Sequence, residues 1–119
     1  MRRRATGRDY RKLRTLHYIL DGKFAAVEPD LITWAVWFET ADRAVKQEWV
    51  EGETRVSTVF LGLDHNFSDA GPPLLFETMV FSIYTAINGE TRRYATWEDA
   101  ETGHDQVVAW VIEQLAAKT

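Results

Sequence analysis

A chain of 119 residues with 45% hydrophobic side chains, five Trp, four Tyr and six Phe has the length of one domain and enough apolar material for a buried core. The absence of cysteine excludes disulfides, thiolate nucleophiles and Cys-based metal centres, and it is compatible with a reducing cytoplasm. No apolar run approaches the roughly 20 residues that span a bilayer, and no apolar stretch follows the Arg-rich start, so a soluble, unsecreted protein with no membrane contact is expected.

The net charge of −4 is unevenly distributed. Residues 1–14 carry seven basic side chains against Asp9, a local charge of +6, and residues 15–119 carry seven basic against 17 acidic side chains, or −10. The chain therefore divides into a basic N-terminal arm, 1–14, and a single acidic domain, 15–119. Such an arm suits phosphate groups, its own acidic body or a neighbouring subunit. Nucleic acid is disfavoured except through the arm, because the body would repel a phosphate backbone.

Leu13 to Leu20 is apolar enough for a short strand or a helical turn and closes on the turn signal Asp21-Gly22. Pro29 suits the first position of a helix, and Leu31, Trp34, Ala35, Phe38, Ala41 and Val45 recur at three- and four-residue spacing, which predicts a helix from Pro29 to Arg43. Trp37 lies off that stripe, as a wide core contact or an exposed aromatic on a binding face.

From Val45 the period becomes two. Lys46 to Val50 and Arg55 to Leu63 read as strands joined through Glu51-Gly52-Glu53-Thr54, and Leu74 to Ala86 and Thr91 to Ala95 as two more, joined at Asn88-Gly89, a type I′ hairpin signal. The Arg55 and Leu74 runs are apolar enough for central positions and the other two suit edges. Thr96-Trp97-Glu98-Asp99 resembles a capping box opening a last helix, whose face is Ala100, His104, Val107, Val108, Val111 and Leu115, with Gln114 to Thr119 fraying. The expected fold is α+β in two layers: a four-stranded antiparallel meander with one helix before it and one after it, both on one face.

Chemistry is sparse. The loop Asp64-His65-Asn66-Phe67 sits between the two central strands, where His65 is a candidate base or metal ligand and Asp64 and Asn66 equally suit an Asx-type turn. Glu77 shares a strand face with Leu75, Met79 and Phe81 and needs a partner there, with Arg55, Arg92 and Arg93 in reach. His104 falls on the apolar face of the last helix. Asp64, His65, Glu77 and His104 are the candidate catalytic groups. Asp64, His65, Asn66, Phe67, Trp37, Trp97 and Arg92 are the candidate ligand- or partner-binding groups. No nucleophile motif, phosphate loop or dinucleotide fingerprint occurs, and the sequence assigns neither a metal nor a cofactor.

The segments STVFLGLDHNF (57–67), GPPLLFETMVF (71–81) and Tyr94-Ala95-Thr96-Trp97-Glu98-Asp99-Ala100 through His104, with the Tyr18–Gly22 opening and Trp37–Arg43, resemble a family of small bacteriophage and prophage proteins. The resemblance implies an accessory protein in the host cytoplasm that binds a host protein or a small ligand; the small size, the absent catalytic motif, the surplus of Trp and the charge split add the expectation of a non-enzymatic inhibitor or sequestering agent in counter-defence. Two alternatives stand beside it: a small hydrolase or metal-dependent enzyme using Asp64, His65, Glu77 and His104, and a minor virion or assembly component. A homodimer is compatible with all three.

Overall fold

The structure, a computed structural model, describes residues 16–117. The basic arm, 1–14, lies outside the described residues. The chain runs β1 (Tyr18–Asp21), β2 (Phe24–Val27), α1 (Leu31–Thr40), β3 (Ala44–Val50), β4 (Thr54–Phe60), β5 (Phe76–Ser82), β6 (Thr91–Tyr94) and α2 (Trp97–Ala116). Strands β3 to β6 form an antiparallel sheet in sequence order, with β4 and β5 central, while β1 and β2 form a separate hairpin. This is the expected α+β meander with a helix on either side of it in sequence. No helix among the described residues is long and apolar enough to cross a membrane.

Alternation fixes the two faces of the sheet. Thr54, Val56, Thr58 and Phe60 on β4 lie opposite Ser82, Val80, Thr78 and Phe76 on β5. Of these eight residues, all but Ser82 are buried. Successive strand residues point to opposite faces, so this set forms one inner layer. Against it α2 lays Ala100, Gly103, His104, Val107, Val111 and Leu115, spaced as one helical face. Fully burying a Val or Leu there contributes roughly 1.5–3 kcal/mol each. The other sheet face carries Trp49, Arg55 and Phe81 in one cross-strand row, with Trp49 and Phe81 exposed.

A second apolar cluster closes one end of the sheet. Tyr18, Phe60, Leu75, Phe76 and Ala100 are buried there, with Leu20, Val27, Trp37 and Trp97 packed around them. The hairpin and α1 build this end. Trp34 donates its indole N–H to the Tyr18 carbonyl at 2.9 Å and meets the His17 ring at a tilt, 4.8 Å between centroids, and Trp37 meets Phe60 edge-on at 5.9 Å. Gly62 leaves room for α1 beside it: it has φ +78°, and a Cβ there would stand 2.9 Å from the Phe38 ring.

Several expectations are corrected. The run Leu13 to Leu20, expected as a short strand or a helical turn, leads into strand β1, and an unexpected second strand, β2, turns back at Gly22-Lys23 to pair with it. Helix α1 is shorter than Pro29 to Arg43: Asp30, not Pro29, sets its start by accepting from the Thr33 N–H at 2.9 Å, and Ala41 leaves it in an extended conformation. Only α2 spans the sheet; α1 leans on the hairpin and reaches the sheet's end through Trp37. Asn88-Gly89 is not a type I′ turn. The connection runs from Ile83 to Glu90 and contains a helical turn, with Ile87 and Asn88 N–H both on the Tyr84 carbonyl, and of the pair only Gly89 has positive φ. Ile87 plugs into the core, which an eight-residue loop permits and a tight hairpin would not. Helix α2 continues to Ala116 rather than fraying from Gln114, because Leu115 is buried.

Candidate functional site

The loop from Asp64 to Pro73 joins the central strands and holds itself together with side chains. One Asp64 carboxylate oxygen accepts from the N–H groups of Asn66 at 2.7 Å and Leu74 at 2.9 Å, tying the two ends of the loop. The Asn66 amide donates to the carbonyls of Ala70 and Pro72, and its oxygen accepts from Ser68 N–H and hydroxyl. Asx-type bonds of this kind replace the ladder that a loop lacks. His65 lies 2.9 Å from the Leu63 carbonyl through Nδ1, which must therefore carry a proton; in the neutral ring this leaves Nε2 as an acceptor. The Phe67 ring sits 5.7 Å from the His65 ring and is 83% exposed.

Glu77 stands on the outer sheet face opposite Arg93 and bonds its Nε at 2.9 Å. The next residue, Thr78, points the other way, toward α2. Beneath α2 lies a chain of polar groups. The Tyr94 hydroxyl donates to Thr78 Oγ1 at 3.1 Å, the two threonine hydroxyls of Thr78 and Thr58 are 2.6 Å apart, Thr58 Oγ1 is 2.7 Å from His104 Nδ1, and His104 Nε2 is 2.8 Å from Glu48 Oε1. Each hydroxyl has one proton, so with a neutral imidazole only one arrangement satisfies every atom: Tyr94 gives to Thr78, Thr78 to Thr58, Thr58 to Nδ1, and Nε2–H to Glu48. Burial holds the Tyr94 phenol above its ordinary pKa, and the Thr78 bond and the Arg92 charge oppose that rise.

Glu48, His104 and Thr58 thus form an acid–imidazole–hydroxyl line. The hydroxyl is sealed: Thr58, Thr78 and His104 have no exposed surface. A nucleophile needs access to a substrate, so this line is a satisfied core network. Glu48, His104 and Asp105 also bring ligand atoms within 4.8 Å of one another. Lys46 supplies the positive charge there, 3.0 Å from Asp105 and 3.5 Å from Glu48, and the Asp105 bond raises its pKa.

The four candidate catalytic residues do not share chemistry. Glu77 and His104 address opposite faces of the sheet, and Asp64 and His65 are engaged by loop backbone, so no proton or metal ion passes between all four. Of the candidate binding residues, Asp64, His65, Asn66 and Phe67 come together in the loop, while Trp37 packs on Phe60 and Arg92 pairs with Glu90 at 3.4 Å and faces Trp110. Trp97 lines a cavity of about 230 Å³ with Tyr18, Phe24 and Phe76; Lys23 sits 5.8 Å over its ring, and its buried indole N–H has no hydrogen-bond partner.

Glu48, Thr58, Thr78 and Tyr94 escaped the sequence reading. Their signal was parity: Thr58 and Thr78 occupy the same strand face as Val56, Phe60, Phe76 and Val80, and Glu48 the same face as Val50. No protein-family model matches the chain, and no curated protein or solved structure is significantly similar to it.

Proposed function

We propose that the protein acts by binding a partner, with the Asp64–Pro73 loop as its contact surface, and that it performs no catalysis. The observation that carries this reading is Phe67, an aromatic ring left 83% exposed at a loop whose own side chains tie it down. A rigid aromatic presented to solvent loses little entropy when it enters a partner's pocket, which is how interface hot spots arise. His65 Nε2 adds an acceptor beside the ring. The resemblance to small phage and prophage proteins makes a host cytoplasmic protein the partner to test first, with inhibition or sequestration as the outcome for the host.

The test is quantitative mass spectrometry of what co-purifies with the full chain and with Phe67→Ala from host cells. A partner recovered with the parent protein and lost with Phe67→Ala supports the reading. The same partner set for both proteins, or a turnover activity abolished by changing His65 or Glu77, overturns it.

A further inference from the structure

Helix α1 reads Leu-Ile-Thr-Trp-Ala-Val-Trp-Phe-Glu-Thr and is apolar over most of its circumference, yet none of its residues is buried. A helix hydrophobic all round belongs in an interior. Its inner side is accounted for by Trp34 on Tyr18, Trp37 on Phe60 and Phe38 under Arg43. Its outer side is not: Leu31, Ile32 and Val36 are 54, 69 and 63% exposed, with Ala35 exposed between them. Positions 31, 32, 35 and 36 fall on one stripe, and Glu39, four residues after Ala35, lies at its C-terminal end.

Its surroundings are acidic. Glu28 and Asp30 precede the helix, Glu39 lies in its last turn and Asp42 follows. Glu39 stands at the negative end of the helix dipole with no basic residue in that turn, an arrangement that a cation from outside would relieve. Arg43, the nearest arginine in sequence, offsets one of these charges, but its guanidinium is held 4.0 Å over Phe38 and donates to the Phe60 carbonyl rather than pairing with a carboxylate.

This charge pattern selects the occupant. Two copies of α1 packed in either direction would set acid against acid. An anionic lipid surface attracts Lys- and Arg-flanked helices and repels this one. We propose that the outer face of α1 is a docking surface for a basic amphipathic helix of a partner protein, whose apolar side seats on Ile32 and Val36 and whose flanking Lys or Arg residues meet the acidic rim. The surface is separate from the Asp64–Pro73 loop, and the inference stands without it.

Two synthetic helical peptides test it, each of roughly 18 residues, long enough to hold a helix. Both carry one leucine face; one is flanked by Lys and the other by Glu. They are titrated into the full chain by isothermal calorimetry. The Lys peptide is expected to bind, more weakly as salt rises, and the Glu peptide not to bind. The neutral double variant Ile32→Ser/Val36→Ser is expected to weaken the Lys peptide at least about tenfold, the scale of losing an interface hot spot. Glu39→Lys should weaken it too, while Phe67→Ala leaves it unchanged. Both serine positions are exposed, so the variant folds, and thermal unfolding checks this. Failure of the Lys peptide to bind, or equal binding to the parent and the serine variant, overturns the proposal. So does a dimer in sedimentation equilibrium that the serine variant dissociates, which would assign the face to a second copy.

Discussion

The phenol ring of Tyr94 occupies the space that a side chain on Gly103 would need: a Cβ built on Gly103 would collide with the ring at Cε1, Cζ and Oη. Glycine in a helix interior costs about 1 kcal/mol relative to alanine, and α2 bears that cost to let the edge strand's tyrosine reach Thr78. The geometry gives Gly103→Ala an unusual sign. Alanine should destabilise the protein by roughly 1–3 kcal/mol through overpacking despite its better helix propensity. In a Tyr94→Ala background the same change should be neutral or stabilising. Urea denaturation of the four proteins in the cycle measures the coupling, and additive effects would contradict the packing account.

The polar chain under α2 makes a second prediction. Thr58→Val keeps the shape but removes the donor to His104 Nδ1 and the acceptor for Thr78. Leaving buried polar groups unpaired costs about 1–3 kcal/mol each, so a loss of roughly 2–4 kcal/mol is expected. Replacing Thr58, Thr78 and His104 together by apolar residues should cost less than the sum of the single changes. A Thr58→Val protein as stable as the parent in denaturant would show that the chain holds nothing.

Tyr94 predicts an alkaline limit. Its folded-state pKa is raised above 10.0 by burial, so the folded protein keeps the phenol proton to higher pH than the unfolded chain does. The contribution is therefore complete below about pH 10 and is lost as pH rises through the folded value. Tyr94→Phe should be less stable at neutral pH, for want of the Thr78 bond, and should show a shallower decline in the alkaline range. Parallel slopes for the two proteins in stability measurements across about pH 9–11 would refute the assignment.

The loop offers a fourth. Asn66→Ala deletes the amide bonds to the Ala70 and Pro72 carbonyls at an exposed site, so global stability should fall by no more than about 1 kcal/mol. Local order should fall further. Hydrogen exchange of the backbone amides near Phe67 should quicken while the β4 and β5 amides stay protected, and affinity for the partner should drop because the loop must then be ordered on binding. Unchanged exchange in the loop would mean that Asn66 does not hold it.

How far these features were legible in the sequence depended on the range of the interactions that create them. The meander was legible because the alternation of β4 and β5 is written in consecutive residues, and Thr96 caps α2 through a bond to Asp99 only three residues on. The strand β2 was not, since Phe24-Ala25-Ala26-Val27 is short and lacks alternation. Asn88-Gly89 carried a strong hairpin signal that the burial of Ile87 overrode. The polar chain was out of reach: Thr58 and His104 are 46 residues apart and Glu48 and His104 are 56 apart, so only the folded helix–sheet contact brings them together. The His65 loop was visible as a feature, but its Asx bonds run over two to ten residues, and the exposure of Phe67 is a property of the finished surface.

Apart from the fit of Tyr94 against Gly103, helix α2 meets the sheet largely through valines, alanine and leucine, and that apolar surface alone would let the helix settle at more than one height. A slide by one turn, about 5.4 Å, would bring Ala100 or Val108 opposite Thr58 in place of His104. Much of the apolar burial would survive that slide, but Thr58 and Glu48 would each lose His104 as a partner. The line from Tyr94 to Glu48 therefore works as a registration key: apolar contact supplies most of the adhesion between helix and sheet, and five polar side chains decide which of several adhesive positions is the native one.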